Sequence, residues 1–108
     1  MAARVHAQTE ARLAVALGRG RDGERAVYDC PAGGTPGSVW GTEVYTDDSA
    51  ACAAGVHAGV ITVAEGGRVT IEIRQGENAY VGSTQNGIES LDWESWSGSF
   101  VVIGADGG

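Results

Sequence analysis

Two side chains with the chemistry of nucleophile, general base or metal ligand lie in one short run of the chain. They are Cys52 and His57, within "SAACAAGVHAGVI", Ser49 to Ile61. A thiol and an imidazole that meet can act as a nucleophile and its base, or as two ligands of zinc. On a helix, however, five positions at about 100° per residue set them roughly 140° apart around the axis. One helix therefore cannot bring them together, and neither their spacing nor their neighbours give a zinc pattern. His6 supplies no second ligand. The plainer reading of His57 is a helix-end histidine that hydrogen-bonds a loop carbonyl and fixes a sheet against the helix.

Other catalytic constellations are missing. "GSVWG" and "WSGSF" are not the Gly-x-Ser-x-Gly of a nucleophile elbow. Glu89, Asp92 and Glu94 cluster, as do Asp47 and Asp48, but no loop of spaced oxygen ligands with a central glycine accompanies them, so calcium is not expected. Lysine is absent from the chain, which removes a Walker-type phosphate loop, a Schiff-base lysine and a polybasic membrane patch together. No catalytic residue, metal or cofactor is expected. What remains is aromatic. Trp40, Trp93, Trp96 and three tyrosines could form a platform for sugars, although aromatic side chains in a small β-rich domain more often belong to the core.

The elements that would position these residues follow from local pattern. Alanine is the best helix former, so Ser49 to Ala58 reads as a helix, stopped at Gly59 and started by "TDDS", with Asp47, Asp48 and Ser49 as capping side chains. A helix without Lys, Arg or Glu has no charged face and should be buried on most sides. "ERAVYDC" reads as a strand running into Cys30, and "SVWGTEVY" as a short strand or pair of strands. "RVTIEIR" alternates, with Val69, Ile71 and Ile73 on one face and Arg68, Thr70, Glu72 and Arg74 on a wet one. "AYVGSTQ" and "SFVVIG" read as two more strands, separated by an Asn86-Gly87 turn and the loop-like "IESLDWESWSG". "RLAVALG" near the N-terminus fits a strand or a helix. No sequence repeat occurs.

Together, "YDCP", "VWGTEVYTDDSAACAAGVHAGVI", "GGRVTIEI" and "NAYVGSTQNGIESLDWESWSGSFVV" resemble the LCCL domain of the cochlin and Limulus factor C type, in a single-domain, bacterial-like version. Tyr45, Ser49, Cys52, Ala54, His57, Gly59, Val60, Ile61 and the Gly66-Gly67 pair carry the likeness. The resemblance implies an α+β fold in which a central buried helix is wrapped by antiparallel β-sheets. It also implies a non-enzymatic extracellular module that binds polysaccharide or lipopolysaccharide. Trp40, Tyr45, Ser49, Cys52, His57 and Gly59 then serve as structural motif residues, and Trp93 and Trp96 are the candidates for ligand contact. Animal LCCL domains carry four cysteines in two bridges, whereas Cys30 and Cys52 are the two here. They either bond to each other or are both free; the bridge is the expectation, and it would contribute about 3 kcal/mol if unstrained.

Domain organisation follows: an N-terminal arm or extra strand over 1–24, an LCCL-like domain over 25–104 and a Gly-rich tail over 105–108. Residues 1–25 carry a net charge of +2 and residues 26–108 one of −9. Such a body repels polyanions, which argues against nucleic acid and disfavours the phosphates of lipopolysaccharide, so a neutral glycan or other cell-surface component is the expected partner. No apolar run reaches the length of a membrane span. An extracellular or cell-surface location is expected, although "MAARVHAQTEARLAVALGRGR" interrupts any secretory apolar region with Arg4, Glu10 and Arg12. The second reading is a structural or assembly protein, such as a shell, fibre, surface layer or virion component. Its arm, with Arg4, Arg12, Arg19 and Arg21, would bind the acidic body of another copy to give a homo-oligomer.

Overall fold

The computed structural model describes residues 21–34 and 37–104. The strand or helix at "RLAVALG", most of the arm, His6 and the tail lie outside the described residues. Five strands form one antiparallel sheet: β1 (Arg25–Cys30), β2 (Gly41–Thr42), β3 (Val44–Thr46), β4 (Gly67–Gln75) and β7 (Gly98–Gly104), in the order β1-β4-β7-β3-β2. A separate hairpin joins β5 (Thr84–Gln85) to β6 (Ile88–Glu89). Asn86 and Gly87 both have positive φ, 52° and 81°, as a tight two-residue hairpin turn demands. The single helix of the described residues, α1 (Ala51–His57), packs against β1, β4, β6 and β7, and all seven of its residues are buried. The fold is α+β, a central helix between antiparallel sheets.

Sequence chemistry explains the burial. The apolar face of β4, Val69, Ile71 and Ile73, joins Tyr45, Phe100, Val39 and the helix alanines in one core. Ala50, Ala51 and Ala54 are fully buried, because a methyl side chain lets backbone on several sides approach the helix. On the opposite face of β4, Arg68 and Arg74 are exposed and Glu72 lies between Arg25 and Arg74, at 3.2 and 2.6 Å. Those two guanidiniums, Arg74 first, hold the Glu72 carboxyl below the usual carboxylate range. Thr70 departs from the expected wet face: it is buried, on a central strand flanked by β1 and β7, and its hydroxyl has no hydrogen-bond partner.

Two local expectations are corrected. The helix is shorter than Ser49 to Ala58, and Asp47, Asp48 and Ser49 do not cap it. Ala50 is the N-cap residue, extended at φ −69° and ψ 118°, with no side-chain cap bond. The reason is competition. The Ser49 hydroxyl oxygen accepts the Trp40 N–H at 3.0 Å and bonds the Thr46 hydroxyl at 2.9 Å, while Asp47 accepts from Trp96. The stop at Gly59 holds, at φ +85°. "AYVGSTQ" is likewise not one strand. It makes an isolated bridge at Tyr80 and the two-residue β5; between them the Gly82 N–H donates to the Asp92 carboxylate at 2.7 Å and not to the backbone of a neighbouring strand.

The sulfurs of Cys30 and Cys52 are bonded, tying the end of β1 to α1 across 22 residues. Thiol titration of the denatured, unreduced protein should find no reactive cysteine at either position, and reduction should lower the unfolding free energy by about 3 kcal/mol in denaturant titration. Ala54→Leu, which forces three extra carbons into a fully buried contact, should cost about 1 to 3 kcal/mol by the same measurement; unchanged stability would contradict the wrapped helix.

Candidate functional site

Two places gather the residues whose chemistry matters. The first is interior. His57 is fully buried, and its Nε2 lies 3.0 Å from the Ser83 carbonyl oxygen and 3.2 Å from the Ser83 hydroxyl. Its Nδ1 lies 2.9 Å from the Tyr45 hydroxyl. By distance alone, Ser83 and His57 look like a nucleophile and its base. The proton inventory says otherwise. A carbonyl only accepts, so Nε2 carries the hydrogen and has no lone pair for a serine proton; Nδ1 is then the acceptor of the Tyr45 O–H. The Thr42 hydroxyl donates to the Val81 carbonyl at 2.8 Å, so at 2.7 Å it accepts from the Ser83 hydroxyl. Every proton of the chain Tyr45, His57, Ser83, Thr42, Val81 thus points one way and ends on a carbonyl.

Sequence reading anticipated the loop carbonyl on His57. It named Tyr45 as a motif residue and Asn86 as a turn residue but missed that Tyr45 and Ser83 are the partners of His57, contacts that come from tertiary packing, and that Asn86 Nδ2 donates to the His57 carbonyl at 3.0 Å and closes the helix end. Cys52 and His57 have separate partners, Cys30 for one and Tyr45 with Ser83 for the other. Among the described residues, no group of three or more His, Cys, Asp and Glu side chains could hold a metal ion.

The second place is on the surface. Trp40, Trp93 and Trp96 converge on an open recess of about 270 Å³, whose remaining lining is Thr46 and Asp48. Adjacent rings stand edge to face: Trp40 and Trp93 at 6.3 Å and 66°, Trp93 and Trp96 at 6.3 Å and 79°. Trp93 is 45% exposed, and Trp40 and Trp96 are half-buried. Trp40 therefore joins the two predicted contact tryptophans, while Tyr45 packs inside against His57 and Phe100.

The "IESLDWESWSG" segment has little regular structure, yet its backbone is fastened along its length. The Leu91 N–H donates to the Val39 carbonyl at 2.9 Å and the Gly41 N–H to the Leu91 carbonyl at 3.0 Å. Tyr80 and Trp93 exchange N–H and carbonyl bonds at 2.8 and 3.0 Å, and the Trp96 N–H donates to the Glu77 carbonyl at 3.1 Å. Backbone crosses so closely at Gly76 that a Cβ would lie 1.9 Å from the Trp96 carbonyl oxygen. The Trp96 ring is itself fixed, since its Nε1–H donates to Asp47 at 2.7 Å.

Burial drives the Tyr45 phenol up to about 12. A folded value above the unfolded one means stability that is complete below the unfolded value, about 10, and lost as pH rises toward about 12. Denaturant titrations between those limits should show stability falling steadily. Tyr45→Phe should shift that alkaline limb without abolishing it, because burial also raises the Tyr28 phenol. At neutral pH the same change leaves Nδ1 of His57 unsatisfied and should cost about 1 to 3 kcal/mol.

Comparison with known sequences adds a family. The sequence pattern of the LCCL domain matches residues 6–100. The chain is 38% identical over 79 residues to vitrin of Homo sapiens, an alignment covering 71% of this chain and 12% of vitrin. It is 39% identical over 80 residues to clotting factor C of Tachypleus tridentatus, covering 72% and 8% respectively. A third relative, cysteine-rich secretory protein LCCL domain-containing 2 of Homo sapiens, is 44% identical over 52 residues, covering 48% and 10%. The chain thus matches only a small part of each of these longer proteins.

Proposed function

The chain belongs to the LCCL domain family, and we propose that it is a non-catalytic module that binds a polysaccharide or other cell-surface ligand in the recess of Trp40, Trp93 and Trp96. The observation that carries this reading is the convergence of three tryptophans on one open cavity, with the middle ring 45% exposed. Exposed indole offers an apolar face to sugar C–H groups and an N–H to their oxygens. Around His57 the hydrogen bonds are complete and directed, which leaves that cluster a structural task. An extracellular or cell-surface setting is supported by the Cys30–Cys52 bridge, since disulfides persist in oxidising compartments, and by a relative whose name calls it secretory. Among the described residues no helix is long and apolar enough to cross a membrane. The assembly alternative would act through the arm, whose residues 1–20 lie outside the described structure.

Trp93→Ala with Trp96→Ala should abolish retention on immobilised polysaccharides while the circular dichroism spectrum stays native. Because Trp96 bonds Asp47 and its removal could unsettle the fold, Trp93→Ala alone is the second variant and should weaken retention at least tenfold. Undiminished binding by a folded variant would remove the recess from the function.

A further inference from the structure

We propose that the recess selects a sugar carrying a protonated amine, a hexosamine unit with a free ammonium group, over neutral or anionic sugars; this rests on the glycan reading above and specifies its ligand class. The first support is the arrangement of the rings. A flat chain of sugars stacks on roughly coplanar aromatics, but here successive planes turn by 66° and 79°, so the indoles are walls of a recess. Walls on several sides suit one compact head group, and about 270 Å³ holds a single ring with its substituent. Indole faces carry negative quadrupole density and attract an ammonium group within about 6 Å of the ring centre, an attraction that grows as the cation is desolvated.

The second support is charge. Asp48 lines the recess and is partly exposed. All four arginines of the described residues lie elsewhere, on β1, on β4 and in the turn before β1, where Glu24, Glu72 and Asp29 engage them. None lines the recess. A carboxylate also accepts bonds from neutral sugar hydroxyls, but only an ammonium group gains from the Asp48 charge and the ring faces together. Phosphate or carboxylate substituents would meet the same groups with the wrong sign.

The test measures binding of glucosamine oligomers and of N-acetylglucosamine oligomers of equal length to the full chain, by calorimetry and tryptophan fluorescence. The expected result is at least tenfold tighter binding of the glucosamine oligomer, with the advantage lost in Asp48→Asn, at high salt, and when pH is raised until the ligand amine is neutral. The pH series needs no variant and stands even if Asp48→Asn fails to fold. Equal binding of the two oligomers would overturn the charge selection and leave the glycan reading standing. Binding of neither would overturn the hexosamine proposal, while the glycan reading would still be decided by the retention of the Trp93 and Trp96 variants. Choline chloride is the third arm: tighter binding of choline than of the glucosamine oligomer would assign the cage to a non-sugar cation and overturn the hexosamine proposal.

Discussion

The two hydrogen bonds of the buried His57 imidazole join three parts of the chain that no strand pairing connects: the last turn of α1, Tyr45 on β3 and the segment at Ser83. A buried ring with two polar edges is costly unless both edges are satisfied, and once both are, the positions of the groups at either end are fixed. Tyr45 in turn sets β3 against β7, where it faces Phe100 in the register. Ser83 passes the constraint through Thr42 to Val81, on the path leading to Tyr80 and its exchange of bonds with Trp93. A polar chain thus runs from the buried Tyr45 and His57 outward to the exposed Val81, next to the Tyr80 that pairs with Trp93.

Much of this was legible along the chain. The alternation of "RVTIEIR" marks β4 because the period of a strand is visible within seven residues, and Asn86-Gly87 marks its turn because few other pairs adopt positive φ twice. The buried helix follows from an alanine run without charge. The site was half legible. Trp93 and Trp96 stand out in a segment with no period, but Trp40 joins them only through the bonds between 39–41 and Leu91, some fifty residues apart in sequence, and no local pattern encodes such a crossing. Helix capping failed for a related reason. Ser49 and Asp47 have the right chemistry for caps, yet Trp40 and Trp96 offer them competing donors from distant segments.

Charge is arranged as unevenly in space as in sequence. On β1 and β4, arginines and acids alternate across strands, with Arg68 against Asp29 and Glu72 between Arg25 and Arg74. Exposed pairs of this kind add little stability. Their effect is to gather the positive charge of the described residues on one part of the sheet, away from the recess that Asp48 lines.

The "IESLDWESWSG" segment is held by main-chain bonds, by close backbone crossings at Gly76 and Gly82, and by the side chains of Ser90, Asp92 and Trp96, which bond the Gly41 carbonyl, the Gly82 N–H and the Asp47 carboxylate. Its backbone path is therefore largely independent of what Leu91, Glu94 and Ser95 happen to be. Such a loop can diversify without refolding, in the way an antibody framework carries interchangeable hypervariable loops. A randomised library at those three positions would draw on one rigid frame, with the disulfide and the buried histidine supplying the stability that new specificities consume.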